Sequence, residues 1–205
     1  MRVDRYTRVA ILLHWLVAAG VVFMIALGLT MVHVPLPVSR RFELYQLHKS
    51  VGITVLALML ARVAWRATHP PPRLPAGTPA AERRLAHGAH LLLYALLIAM
   101  PLVGWAVVSA SPYNIPTVLY GMLPWPHLPV LSSLPDKAPV EVVLSRIHAY
   151  GGWFLAGLIG LHAAAALRHH FARGDDVLWR MLPVLRRPSS IAQSAPRSDP
   201  IVDES

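Results

Sequence analysis

Residues 145–168 read SRIHAYGGWFLAGLIGLHAAAALR, an apolar run of membrane length with one histidine near each end, His148 and His162. Their fourteen-residue separation is close to four α-helical turns, so both imidazoles leave nearly the same face, about 21 Å apart along the axis. The run is crowded with small residues, Gly151, Gly152, Gly157, Gly160 and Ala163 to Ala166, which leave room for something flat and bulky. A lone histidine on such a helix is usually a hydrogen-bonding residue between helices. Two on one stripe call for partners elsewhere in the chain.

Three more apolar runs occupy residues 9–32, 47–65 and 87–110, each close to the ~20 residues that cross the hydrocarbon core. With 55% hydrophobic residues, 14% charged residues and a mean hydropathy of +0.49, the 205-residue chain falls in the membrane class. The first run follows Arg2, Arg5 and Arg8, as a signal peptide would. It is too long for a signal h-region of about 7–15 residues and no small-residue cleavage site follows, so it reads as a retained helix. The expected fold is all-α, an integral four-helix bundle over residues 1–186, with helices about 9–32, 47–66, 86–110 and 146–168 and a disordered tail over 187–205.

The absence of cysteine excludes disulfides, thiolate metal sites, iron–sulfur clusters and thioether-linked haem. The net charge of +9 would suggest nucleic acid in a soluble protein. Here it follows from orientation. Fourteen of the nineteen Lys and Arg residues fall in the N-terminus, the 66–84 connection with its flanks, and the C-terminal end; Arg40, Arg41, Lys49, Lys137 and Arg146 fall elsewhere. The positive-inside rule then places both termini in the cytoplasm, and no nucleic acid partner is expected.

That topology sorts the histidines by depth. His48 and His148 start helices two and four near the outer surface, while His14 and His162 lie near the inner one. Two pairs result, each from different helices of a bundle, where bundles build cofactor sites. Two neutral imidazoles at one level with no carboxylate suit iron in a porphyrin plane, whereas zinc asks for four ligands. The alternative is a haem-free bundle with structural histidines. Intramembrane ionisable side chains imply function by default, and four that pair by depth favour haem.

Other residues carry weaker signals. His14, beside Trp15, also suits an interfacial position. Arg62 and Arg66 close helix two at the inner surface, as end anchors or as partners of an acidic group on a cofactor. His87 and His90, one turn apart, lack a third ligand for a metal; a surface role, a quinone headgroup or a propionate suits them better, and His169 and His170 are further candidates for such contacts. The proline-rich 70–79 stretch reads as a stiff connector. Residues 111–143, dense in proline and aromatics, read as a lid across the outer face, with His127 structural. Asp175 or Asp176 is expected to cap a short amphipathic segment through Met181.

The motifs HWL (14–16), LHKSVGI (47–53), AHGAHLLLY (86–94) and GLHAAAALRHHF (160–171) together resemble the bacterial cytochrome b561 family, over residues 6–183. The resemblance implies a bacterial inner-membrane cytochrome with two haems b, axially held by His14, His48, His148 and His162. It implies transfer of single electrons between a periplasmic donor and ubiquinone. Relatives of one kind resemble superoxide oxidases, superoxide:ubiquinone oxidoreductases, and others serve as electron partners of periplasmic proteins; the rival reading is a membrane anchor subunit that passes electrons between quinone and a separate dehydrogenase or hydrogenase. The partners implied are lipid, quinone, superoxide or another periplasmic donor, and a homo-oligomer is compatible with all of this. Lys49, Arg40, Arg41, Lys137 and Arg146 would draw an anion to the outer haem, or serve as ordinary surface charges.

Overall fold

The computed structural model describes residues 5–72, 79–174 and 177–182. Four long helices dominate: α1 (Arg8–His33), α2 (Val38–Thr68), α3 (Ala80–Ser109) and α5 (Ala138–Phe171). Between α3 and α5 lie two short strands, β1 (Thr117–Leu119) and β2 (Leu123–Trp125), and a single turn of helix, α4 (Pro129–Ser132). All four long helices are long and apolar enough to cross a membrane. Their outward faces are apolar too: Val22 is 59% exposed, Leu91 66% and Leu161 68%, which suits lipid as solvent. Both described chain ends lie at one end of the bundle, here the termini end; the connection between α3 and α5 covers the other, the loop end.

Helix starts follow local chemistry. The Thr7 hydroxyl accepts the Ala10 N–H at 3.2 Å and also the Trp65 indole N–H at 2.9 Å, capping α1 and tying it to the end of α2. Pro37 and Pro79 precede α2 and α3, and Pro139 sits in the first turn of α5, where a missing N–H costs no helical bond. Three helices begin earlier than hydropathy suggests: α2 at residue 38, α3 at 80 and α5 at 138. The extra turns of α2 and α3 are polar (Arg40, Arg41, Glu43; Glu82, Arg83), whereas that of α5 sets Glu141 among Val140, Val142, Val143 and Leu144. At 1.5 Å per residue the 34 residues of α5 span about 51 Å, well beyond the ~30 Å hydrocarbon core.

Close backbone packing joins α1 to α2, α2 to α3 and α3 to α5; α5 makes no comparable contact with α1 or α2. The gap this leaves is closed in the middle by an apolar cluster of Val17, Val21, Val55, Met59, Leu93 and Leu155. Leu155 lies seven residues from both His148 and His162, so a packed apolar layer separates the two histidine levels.

The loop end carries the expected lid, with structure of its own. Strands β1 and β2 pair antiparallel, Thr117 with Trp125 and Leu119 with Leu123. The turn holds Tyr120 at φ +53°, a left-handed conformation that costs an aromatic residue about 1–2 kcal/mol. Three α2 side chains at i, i+4 and i+8 hold it there. Gln46 donates to the Pro116 carbonyl (2.9 Å) and accepts from Val118 N–H (3.4 Å). Ser50 Oγ accepts the Tyr120 N–H at 2.9 Å, and Thr54 Oγ1 bonds the Tyr120 hydroxyl at 2.6 Å.

At the termini end, residues 177–182 form turns, not an amphipathic helix. They are strapped down by Trp15, whose indole donates to the Met181 carbonyl at 2.7 Å, and by Arg5, which donates to Leu182 at 2.9 Å. Asp175 and Asp176, Arg73, Pro75 and the 187–205 tail lie outside the described residues.

Candidate functional site: two histidine levels

At the loop end α2 supplies His48 and α5 supplies His148, ring centroids 6.1 Å apart with planes at 75°. The other two helices each supply a glycine. A Cβ on Gly104 of α3 would stand 3.0 Å from His148 Cε1, and one on Gly28 of α1 would stand 3.8 Å from His48 Cε1. Nδ1 of both rings is buried without a hydrogen-bond partner among the described residues. The Met100 carbonyl lies beside the His148 ring but out of hydrogen-bonding geometry.

At the termini end His14 of α1 faces His162 of α5, centroids 6.4 Å apart and planes at 73°. Both pairs span the gap that α5 leaves towards α1 and α2. A third imidazole joins this level: the His90 ring is 5.3 Å from that of His162. Its Nδ1–H donates to the Ala86 carbonyl at 2.6 Å, which fixes the tautomer and leaves Nε2 a free acceptor. His87, one turn back, is exposed, so the structure separates the two: His90 belongs to the site and His87 to the surface. Among the described residues no three or more His, Asp or Glu side chains are arranged to hold a metal ion by themselves.

Arg62 and Arg66 converge on Tyr94, their guanidinium carbons 5.4 and 5.6 Å from its ring centre, and Arg62 Nε donates to the Tyr94 hydroxyl at 2.8 Å. With Tyr6, Trp65 and Met181 they line a cavity of about 20 Å³, room for one water. Burial pushes the Tyr6 phenol above its ordinary range and keeps it a donor. Arg62 is close enough to act electrostatically on His14, His90 and His162. No carboxylate pairs with Arg62 or Arg66 among the described residues. The neighbouring acid, Glu82, is spent on Arg173 (2.7 Å), Arg168 (3.1 Å) and His169 (3.8 Å), which ties the start of α3 to the end of α5. His170 packs on Trp179 and Phe171.

A family model described as prokaryotic cytochrome b561 matches residues 5–184. The chain belongs to that family. Cytochrome b561 homolog 2 of Escherichia coli (strain K12) is 34% identical over 180 residues, covering 87% of this chain and 92% of the relative. A protein of Yersinia pestis named probable superoxide oxidase CybB is 32% identical over 183 residues, covering 89% and 98%. Cytochrome b561 homolog 1 of the same E. coli strain is 27% identical over 183 residues. This cytochrome b561 is therefore a bacterial membrane protein that transfers electrons with b-type haem.

The residues present fit that cofactor. Two imidazoles bonded to one metal at about 2 Å put their ring centroids roughly 6 Å apart. The observed 6.1 and 6.4 Å match that separation. The gap beside α5, the glycines opposing His48 and His148, and the unpartnered Nδ1 atoms all point the same way. The α5 glycines divide by role: Gly151 packs against Met100 of α3, while Gly152, Gly157 and Gly160 face open space.

The loop-end cations are partly engaged. Arg40 pairs with Glu43 at 2.6 Å, Lys49 donates to the Pro116 carbonyl at 3.3 Å and Lys137 to Asn114 Oδ1 at 2.5 Å. Sequence reasoning missed Gly28 and Gly104, whose importance lies in contacts across the bundle. It also missed the lid fastening, although a polar stripe at 46, 50 and 54 inside an apolar run was there to be read.

Proposed function

We propose that this cytochrome b561 carries single electrons across the bacterial inner membrane, between a periplasmic donor, superoxide foremost, and ubiquinone. Two haems b take part, His48 with His148 holding the one at the loop end and His14 with His162 the one at the termini end. The observation that carries the proposal is the pair of facing imidazoles at each of two levels along α5. Ferric–ferrous cycling of haem iron supplies the one-electron chemistry. The rest follows from the chain's own residues. With two histidines to hold each haem, His48 with His148 and His14 with His162, added ligands would find no open position, and the haem would supply electron transfer rather than ligand chemistry. The apolar layer around Met59 and Leu155 excludes water between the levels.

The charge bias supports a cytoplasmic termini end and a periplasmic loop end. There Lys49, Arg41 and Arg146 offer an anionic donor a positive approach, with the lid limiting access from above. At the termini end Arg62 and Arg66, which have no carboxylate partner among the described residues, hold a haem carboxylate. His90, with Nε2 free to accept, would hydrogen-bond a quinone headgroup, with His169 and His170 as further contacts. The relative named probable superoxide oxidase supports superoxide as donor.

The test supplies purified protein with a steady source of superoxide and follows ubiquinone reduction. Reduction above the uncatalysed background is expected. Reduced haem without any quinone reduction would instead make the protein an electron-transfer anchor for another subunit.

A further inference from the structure

Four buried side-chain nitrogens lack a hydrogen-bond partner among the described residues, and all lie at the loop end: His48 Nδ1, His148 Nδ1, Trp125 Nε1 and His127 Nε2. The first two belong to the histidine pair. The other two sit in the lid, on residues that alternate along an extended strand end, and nothing in the fold uses them.

Hydrogen bonds with α3 hold this segment in place. Trp105 Nε1 donates to the carbonyl of Pro126, the residue between them, at 2.9 Å, and its ring lies 5.5 Å from that of Trp125. Ser109 Oγ accepts the Leu128 N–H at 2.9 Å. Residues 125–128 are thus seated on the last turns of α3, directly beyond Gly104, the residue against which His148 rests. The other side of the hairpin is fastened to α2 at Gln46 and Ser50, which flank His48. The lid therefore roofs the His48–His148 gap from both sides. An indole N–H can only donate. Burying it unbonded, two residues from an imidazole nitrogen that is also unbonded, is penalised unless both find an acceptor.

We infer that Trp125 and His127 are a carboxylate-binding pair that holds a propionate of the loop-end haem, Trp125 through Nε1–H and His127 through Nε2–H. The inference rests on the loop-end haem proposed above. Both act as positioning residues that also set the electrostatics. Two donors on one carboxylate offset its negative charge, so the ferric state is favoured less and the potential rises.

The experiment is a redox titration of the purified full chain, followed by haem absorbance, with the loop-end wave assigned by its loss in His148→Ala. In Trp125→Phe and His127→Leu that wave moves to lower potential, a several-fold rise in the ferric-to-ferrous ratio at the wild-type midpoint, while the other wave stays in place. His127→Gln keeps an N–H donor and stays near wild type, and the His127 pair decides the matter if Trp125→Phe disturbs the lid. An unmoved loop-end wave with two haems bound would overturn the assignment, and so would equal shifts in His127→Leu and His127→Gln. A wild-type count below two haems would overturn the underlying haem assignment, an outcome visible before any variant is made.

Discussion

At Gly28 and Gly104 the missing side chain is what lets an imidazole come close to the neighbouring helix. A Cβ at Gly104 already reaches 3.0 Å from His148 Cε1, and anything larger must displace the ring. Gly104→Val is therefore expected to lower bound haem from two per chain to one, read by pyridine haemochrome assay. Gly157→Ala, where nothing lies within 4 Å, should keep both haems and stabilise the helix by up to about 1 kcal/mol. Equal haem content in the two variants would refute the close-approach role of Gly104. The partnering of the four histidines by depth was legible, because α-helical spacing and alternating topology depend on local sequence alone. The glycines opposing His48 and His148 were not, since a glycine's importance lies in what packs against it from another helix. His90 was visible as a candidate, but only the fold separates it from the exposed His87.

Among the elements, the lid and the α3–α5 junction make the sharpest expectations. Ser50 is 1% exposed and its hydroxyl accepts the Tyr120 N–H at 2.9 Å, holding a strained turn in place. Removing a buried partner of this kind costs about 1–3 kcal/mol. In Ser50→Ala the amides of residues 117–125 should exchange with solvent roughly tenfold faster, in line with ~1.4 kcal/mol. Unchanged exchange there would show that the hairpin holds itself. Glu82 is a different case. Its partners Arg168 and Arg173 are largely or partly exposed, so the cluster contributes under about 1 kcal/mol and is screened by salt. Glu82→Gln should lower Tm by a degree or two at low salt and by less at high salt; an equal drop at both would contradict an ion-pair role. Element ends were the least legible feature. Hydropathy marks where a helix meets hydrocarbon, and the polar first turns of α2 and α3 continue past that boundary, while the largely apolar start of α5 at 138–145 adjoins the proline-dense loop and was read with it. The hairpin escaped notice because its strands have three residues each and prolines punctuate the stretch.

For the molecule as a whole, the architecture follows from a solvent argument. Four apolar stretches of spanning length can satisfy their backbones in lipid only as helices, and an all-helical bundle is what forms. The bundle is not uniformly closed: α5 packs closely on α3 alone, and the space it leaves towards α1 and α2 is bridged by facing imidazoles above and below one apolar layer. The central claim is that each level binds its own haem. Haem per polypeptide in His148→Ala, His162→Ala and the double variant tests it most directly. The expected counts are about one, one and none against two in the parent, with a different absorption band surviving in each single variant. A haem content unchanged from the parent in both single variants would contradict it.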